Sequence, residues 1–327
     1  MDIEMTRAPV HLTESDSTLP YLLHAAVHGD CWRENLPHIQ QIIERELPRA
    51  GGVLLRGFNF NGADDFEAFA RSFNHPLLTY DYASTPRTQL NNRVYTSTEY
   101  PAHQVIPLHN EQSYSLNWPM KIWFHCITAS DVGGETPIAD SRRIYRQIDP
   151  AIRQKFAEKR LMYVRNYGNG LDLTWQQAFS TEDQTQVERF CRDSNIQFEW
   201  TEDGELRTRQ VCQAVARHPV SGEWVWFNQA HLFHLSNLPE TVRNTLVSIV
   251  GEEGVPRNVF YGDGSPIELS ALTHIRSVLE REQVMFPWQQ GDVLMLDNML
   301  VAHGRSTFQG ARKIVVAMAE PASPAPL

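Results

Sequence analysis

Apolar positions recur at helical spacing in two early segments of the chain. The first segment, Pro37–Leu47, ends at Gly51-Gly52 and is followed by the short apolar run Val53–Leu55. A short apolar run that follows glycines is typical of a buried strand. The second segment, Asp64–Phe73, brings three phenylalanines onto one helical face and begins with acidic residues, which suit a helix N-terminus. The chain is therefore predicted to open with a helix, a strand and a second helix.

Strand-like patterns then dominate a stretch that gives way to helices. From Arg93 to Asp140, short segments rich in aromatic and β-branched residues are separated by Pro and Gly, which favours a sheet or barrel. Met120–Ile127 is the clearest strand among them. Helical signals return at about 141–205, where Asp149-Pro150 opens one helix and another ends near Ser194.

The last third of the chain alternates between strands and helices. The predicted elements are strands within Thr208–Phe227, helices over Pro239–Val250 and Leu269–Glu282, and strands over Val284–Pro287, Gly291–Leu296 and Arg312–Met318. A short tail from Ala322 is expected to fray. The whole pattern predicts a mainly β fold with α insertions. We expect residues 1–327 to form one domain with a helical insertion at about 141–205.

Composition and motif searches exclude several classes of function. The chain has 29 Lys plus Arg against 39 Asp plus Glu, a formal net charge of −10, which argues against nucleic acid as a partner. No apolar stretch is long enough to cross a membrane and the N-terminal residues lack the apolar core of a signal peptide, so we expect a cytoplasmic protein without a membrane partner. The motifs of serine hydrolases, P-loop enzymes and dinucleotide-binding oxidoreductases are absent from the sequence.

Three residues have the chemistry of a catalytic iron site. His109 and Glu111 are two positions apart, which places both side chains on one face of an extended segment. An H-x-E pair alone also fits an ordinary surface pair. His303, which follows the apolar strand Val293–Leu296, supplies a possible third ligand. Two histidines and one carboxylate that leave one side of the metal open form the facial triad of non-haem Fe(II) oxygenases.

A keto-acid cosubstrate such as 2-oxoglutarate also needs a cation for its remote carboxylate. Arg312 begins a predicted strand, and a guanidinium suits a bidentate contact with a carboxylate. If this strand pairs beside the one that carries His303, Arg312 points into the barrel. Arg305 and Lys313 are alternatives; Lys313 faces the opposite side of the strand, whereas Arg305 is close to His303 in sequence.

These motifs together resemble the TauD/TfdA family of Fe(II)- and 2-oxoglutarate-dependent dioxygenases. The matching segments are Leu108–Glu111, Gly133–Thr136, His218-Pro219 with Gly222 and Asn228, Asp297-Asn298, Ala302–Arg305 and Gly310–Arg312. Within that family the chain looks most like the SyrP-like amino-acid hydroxylases of syringomycin biosynthesis. That narrower resemblance is carried by His109–Tyr114, Glu135–Arg142 and Trp226–His231.

The resemblance implies a set of site residues and a fold. It implies that His109, Glu111 and His303 ligate Fe(II), and that Thr136 and Arg312 hold the distal carboxylate of 2-oxoglutarate, with O2 as the second cosubstrate. It also implies a double-stranded β-helix, a jelly roll related to cupins, decorated by helices. The carboxylate of Glu111 argues against a halogenase, in which a small residue would make room for halide.

The substrate side of the prediction is broader. We expect Asn228, Gln229, His231 and Arg305 to contact the substrate, although His231 with His234 also resembles a metal pair and the aromatic residues beside Asn228 also suit a core. The resemblance implies hydroxylation, at the β-carbon, of an amino acid that is free or tethered to a peptidyl carrier protein, in nonribosomal peptide or other specialised metabolism. Desaturation and cyclisation use the same parts. The alternative is a non-catalytic cupin-type protein that binds a metal or a small ligand.

Overall fold

The computed structural model describes residues 19–25, 28–79, 82, 84–85, 87–90, 93–168 and 170–324. Its strands are β1 Tyr21–His24, β2 Asp30–Cys31, β3 Gly52–Arg56, β4 Phe58–Asn59, β5 Tyr95–Thr96, β6 Ile106–His109, β7 Trp118–Thr128, β8 Val132–Gly133, β9 Ile138–Asp140, β10 Leu161–Tyr167, β11 Gln197–Trp200, β12 Leu206–Cys212, β13 Val215–Arg217, β14 Trp224–Trp226, β15 Arg257–Tyr261, β16 Val293–Asp297, β17 Val301–Arg305, β18 Phe308–Gln309 and β19 Lys313–Ala322. Its helices are α1 Trp32–Ala50, α2 Gly62–Arg71, α3 Ser141–Gln147, α4 Pro150–Lys159, α5 Trp175–Phe179, α6 Gln184–Asp193, α7 Ala230–Phe233, α8 Glu240–Val250 and α9 Leu269–Glu282.

A six-stranded sheet forms one wall of the fold. Its strands lie in the order β1-β3-β16-β7-β19-β5, and β7 pairs antiparallel with both β16 and β19. Alternate residues of β7 face opposite sides of this sheet, as the pleat requires. Trp123 packs with α1 and α2 on the outer face, whereas Ile122 and Phe124 belong to the inner apolar core. Both faces of the large sheet are therefore covered.

A smaller sheet packs across the inner face of the large one. It has the order β6-β17-β9, and its pairings are antiparallel. Val301 of β17 and Ile138 of β9 share one buried apolar cluster with Ile122 and Phe124 of β7. Two sheets packed face to face, with helices outside them, form the jelly-roll core that the sequence predicts. The predicted fold class is confirmed.

Several helix ends follow the local signals in the sequence. Gly51 ends α1 in the left-handed conformation, at φ 79°, and the Asp149 carboxylate caps α4 by accepting from two backbone N–H groups. The predicted first helix was too short at its start, because the chain is already helical from Trp32, whose ring packs on Phe60 and Phe69. Packing of the Trp32 ring therefore extends the helix to residues that precede the apolar periodic segment Pro37–Leu47.

Two other predictions need correction or stay open. The predicted strand at Val284–Pro287 is wrong, because Val284 makes only an isolated bridge with Ile138. Residues 141–205 contain α3 to α6, but they also contain β10 and β11, which lie in a four-stranded sheet of order β11-β12-β10-β15. The division into one domain with an insertion stays a prediction. No helix within the described ranges is long and apolar enough to cross a membrane.

Candidate active site

His109 and His303 face each other on neighbouring strands of the small sheet. They occupy paired positions of β6 and β17, and their ring centroids are 4.6 Å apart. The Pro107 carbonyl lies 2.9 Å from His109 Nδ1 and can only accept a hydrogen bond, so Nδ1 carries the proton and Nε2 is left for a ligand. Phe124 of the large sheet packs 5.0 Å from the His303 ring. Both imidazoles are thus fixed where the two sheets meet.

Glu111 reaches the same point from a turn. β6 ends at His109, and Asn298 holds the next residues in place: its Oδ1 accepts from the Glu111 backbone N–H at 2.7 Å, and its Nδ2 donates to the Glu111 carbonyl at 2.9 Å. Glu111 Oε2 then lies 3.9 Å from His303 Nε2. His109 and Glu111 therefore point to one place because Asn298 holds the turn after β6, and not because both lie on one face of an extended strand.

The three side chains fit a metal ion in both geometry and protonation. Each offers one ligand atom, and these atoms lie within 4.8 Å of one another. Burial lowers the pKa of His109, and burial together with the neighbouring His109 lowers the pKa of His303 well below its usual range. Both rings are therefore neutral near pH 7, which is the form that ligates a metal. Two imidazoles and a carboxylate are the donor set of a facial triad.

Arg312 reaches this site from the large sheet. It immediately precedes β19, which pairs with β7 and β5 and not with β17, the strand of His303. Arg312 nevertheless lines the same pocket as both histidines, because the two sheets face each other. Its Nε donates to the Gly134 carbonyl at 2.9 Å. Partial burial, with the nearby Arg305 charge, lowers the pKa of Arg312 to about 10, so its guanidinium stays charged near pH 7 and suits an anion.

Thr136 lines the same pocket and has an oriented hydroxyl. Its Oγ1 accepts a hydrogen bond from the Trp288 indole N–H at 3.0 Å, and both side chains are buried. A hydroxyl that accepts from one side has its own O–H free to donate in another direction. Thr136 and Arg312 line one pocket, and their binding of one carboxylate, which the resemblance implies, stays a prediction. Trp288 is a neighbour of Thr136 that the sequence analysis did not identify.

Replacing Trp288 with Phe should weaken the binding of 2-oxoglutarate by about fivefold and leave kcat unchanged, because about 1 kcal/mol is typical of one lost hydrogen bond. Phenylalanine keeps an aromatic ring beside Phe286 but lacks the donor. The KM for 2-oxoglutarate measures the effect. Thr136→Val serves as the matched variant, since it removes the hydroxyl itself and should raise KM further. An unchanged KM in Trp288→Phe would show that the indole does not orient Thr136.

A buried charge network fixes the turn between β16 and β17. Asp297 Oδ2 lies 3.1 Å from His218 Nε2 and 3.0 Å from Lys121 Nζ, and its Oδ1 accepts from the backbone of Met299 and Leu300. Burial alone would raise the pKa of Asp297, but the His218 hydrogen bond and the Lys121 charge hold it below its usual range. The network explains why two separate motifs, at residues 218 and 297, occur together.

Replacing Asp297 with Asn should lower the free energy of unfolding by about 3 kcal/mol or more, because a buried ion pair loses one partner. Urea unfolding near pH 7 measures the loss. Because the pKa of Asp297 is lower in the folded state, its contribution is complete above about pH 4 and is lost as pH falls toward the folded value. Asp263→Asn is the control, since Asp263 is half exposed and pairs with Lys159 at the surface. Equal losses in both variants would contradict the assignment.

Three of the predicted substrate residues contact backbone carbonyls, two of them in Leu108–Glu111, the segment that carries two of the candidate metal ligands. Gln229 Nε2 donates to the Asn110 carbonyl at 2.8 Å, His231 Nε2 lies 2.7 Å from the Leu108 carbonyl, and Asn228 Nδ2 donates to the Ala214 carbonyl at 2.7 Å. All three side chains are buried. Two of them therefore contact the backbone on either side of His109, and their contact with a substrate stays a prediction.

Arg305 lies in the pocket lining, but its donors are directed at backbone carbonyls. Its Nη1 donates to Tyr100 at 2.9 Å, and its Nη2 donates to Pro101 at 2.7 Å and to Gln104 at 2.8 Å. These bonds tie the segment before β6 to β17. A role in substrate binding stays a prediction for Arg305 as well.

Arg87 is a site residue that the sequence analysis missed. Its guanidinium pairs with Glu111 at 2.6 Å, and the two side chains are 4% and 3% exposed. Arg87 lies in a segment rich in Thr, Pro and Asn whose pattern predicts only turns. A lone arginine in such a segment carries no local signal of burial.

Comparison with known proteins places this site in a family. The family model described as "Taurine catabolism dioxygenase TauD, TfdA family" matches residues 20–318. The chain belongs to the TauD/TfdA family. It is therefore an Fe(II)- and 2-oxoglutarate-dependent dioxygenase, as the sequence predicts, and not the non-catalytic cupin-type protein considered as the alternative.

Individual relatives agree with this placement. The chain is 42% identical over 282 residues to the dapdiamide synthesis protein DdaC of Enterobacter agglomerans, covering 86% of each protein. It is 34% identical over 283 residues to a clavaminate synthase-like protein of Arabidopsis thaliana, covering 83% of this chain and 82% of the relative. The structure of PvcB from Pseudomonas aeruginosa shares the fold, with a TM-score of 0.53 at 17% identity over 91% of this chain and 84% of that protein. The narrower likeness to SyrP-like hydroxylases stays a prediction.

Proposed function

We propose that this dioxygenase hydroxylates an amino acid or its derivative, at the β-carbon, in specialised metabolism. The observation that carries the proposal is a group of two neutral histidines and a carboxylate, whose histidines line one pocket together with a partly buried arginine and a threonine hydroxyl. The names of two similar proteins support the metabolic setting: one is a dapdiamide synthesis protein, and the other, PvcB, is an oxygenase from an isonitrile synthetic pathway. We expect a cytoplasmic enzyme.

One set of residues would bind the metal ion and another would bind the cosubstrate. His109, Glu111 and His303 would hold Fe(II), which with 2-oxoglutarate and O2 supplies the oxidising power to hydroxylate an unactivated C–H bond. Arg312 and Thr136 would bind the distal carboxylate and thereby fix the keto end toward the histidines. Phe124 and Ile314 line the same pocket with apolar surface, which keeps water away from a reactive centre.

The substrate itself is either a free amino acid or an aminoacyl group on a peptidyl carrier protein. Gln229 and His231 contact the backbone on either side of His109, so we expect their replacement to change substrate preference mainly through that segment. Asn228 donates to the Ala214 carbonyl instead. The resemblance to SyrP-like enzymes favours the tethered form.

Succinate release that depends on O2, combined with mass analysis of the substrate, tests the proposal. Free amino acids and the same residues loaded on a carrier protein are compared. The proposal predicts succinate in equal amount to a product that has gained one oxygen, for one of the two substrate forms. Succinate release without an oxygenated amino acid in either form would reject the substrate class.

A further inference from the structure

Arg87 and Glu111 form an ion pair at the wall of the metal pocket. Nη2 of Arg87 donates to Oε2 of Glu111 at 2.6 Å, and this same oxygen lies 3.9 Å from His303 Nε2. The guanidinium is therefore bound to the carboxylate oxygen that faces the histidines. With side chains 4% and 3% exposed, the pair is not a solvated surface contact of small effect.

The segment that carries Arg87 is anchored at several points. The Tyr114 hydroxyl, just after the metal turn, donates to the Tyr82 carbonyl at 3.0 Å, and Arg257 of β15 donates to the Ser84 carbonyl at 2.5 Å. On the other side of Arg87, the Thr88 backbone N–H donates to the Thr96 hydroxyl at 2.8 Å. Residues on both sides of Arg87 are thus anchored, and a planar donor on an anchored segment restricts the orientation of its carboxylate partner.

The orientation of Glu111 matters because a carboxylate can bind a metal through one oxygen or chelate it through both. With one oxygen bound, the triad would leave open positions at the metal for a keto acid and for dioxygen. Chelation by Glu111 would fill the position that dioxygen needs.

We propose that Arg87 is a positioning residue that holds Glu111 to a single metal-binding oxygen and so keeps one position open for dioxygen. A charge-assisted hydrogen bond to Oε2, the carboxylate oxygen near His303, fixes the orientation of the carboxylate and so keeps its second oxygen from turning in to chelate a metal. The inference rests on the proposed iron site, but it does not depend on which amino acid is the substrate.

The test uses Arg87→Met, which removes all donors, and Arg87→Lys, which keeps the charge and a single point donor. Arg93→Met is the matched control, since Arg93 lies in the same part of the chain but is not among the described residues that line the pocket.

Three quantities are measured on the full-length protein: Mn(II) affinity by electron paramagnetic resonance, the visible charge-transfer band with Fe(II) and 2-oxoglutarate without oxygen, and the decay of that band after O2 is added. The decay is measured with and without amino acid.

Arg87→Met should bind Mn(II) at least as tightly as the wild type, because removing a positive charge does not weaken the binding of a cation. The charge-transfer band should still form. Its decay with O2 should slow by about 10- to 100-fold, the usual range for losing a residue that orients a metal ligand. Arg87→Lys should slow the decay less than Arg87→Met, and Arg93→Met should match the wild type.

Two results would overturn the inference. A large loss of Mn(II) affinity together with a lower melting temperature in both Arg87 variants would show that Arg87 only supports the fold. A raised KM for the amino acid with unchanged band decay would show that Arg87 binds the substrate instead. Normal decay in the wild type with no oxygenated amino acid would reject the proposed substrate class while leaving the Arg87 inference standing.

Discussion

Replacing Glu111 with Ala should abolish succinate formation coupled to hydroxylation, with a loss of about 1000-fold or more, because the site loses one of its three protein ligands together with its negative charge. Glu111 contributes the only carboxylate to the metal-binding group found among the described residues. Glu111→Gln keeps the size of the side chain and should lose nearly as much activity. The measurement is succinate release under saturating Fe(II), 2-oxoglutarate and substrate.

Glu99→Ala is the control for this prediction. Glu99 is an exposed carboxylate that accepts from Thr96 and should leave turnover unchanged. Melting temperatures of all three variants separate a lost ligand from a lost fold. Wild-type turnover in folded Glu111→Ala would reject the metal assignment.

Replacing Arg312 with Met should weaken the binding of 2-oxoglutarate by about 100-fold, because a bidentate, charge-assisted contact worth about 3 kcal/mol is lost. The partly buried guanidinium of Arg312 lines the same pocket as Thr136 and would bind this anion in the proposed reaction. The KM for 2-oxoglutarate should rise, and kcat should recover at saturating cosubstrate, since the metal ligands are untouched.

Lys313→Met provides the matched comparison for Arg312. Lys313 is the next residue, is exposed and begins β19, so its charge points away from the pocket. The KM of Lys313→Met for 2-oxoglutarate should equal that of the wild type. Equal effects in both variants would mean that net charge, and not a specific carboxylate contact, controls cosubstrate affinity.

Much of the site could be predicted from sequence because its residues lie in short motifs. His109 and Glu111 are two positions apart, Thr136 follows a pair of glycines, and Arg312 follows His303 by nine positions. In each case a residue type with restricted chemistry stands in a recognisable spacing. The structure brings these five residues to one place, where β6, β17 and the large sheet meet.

The supporting residues could not be found in this way. Arg87 and Trp288 act through contacts with partners 24 and 152 positions away, and the segments around them carry turn-like patterns or a misassigned strand. The neighbours of the strand that follows Arg312 could not be predicted either, since residue alternation gives the face of a strand but not the strands beside it. The partners of Arg87 and Trp288 and the neighbours of the strand after Arg312 all depend on tertiary packing. Short local sequence patterns do not show that packing.

The most direct test of the central claim is the visible spectrum of the wild-type protein with Fe(II) and 2-oxoglutarate in the absence of oxygen. The account predicts a charge-transfer band that requires both additions and is lost in Glu111→Ala, and that in Arg312→Met needs about 100-fold more 2-oxoglutarate to form. A folded protein that binds Fe(II) but gives no band at any concentration of 2-oxoglutarate would contradict the account.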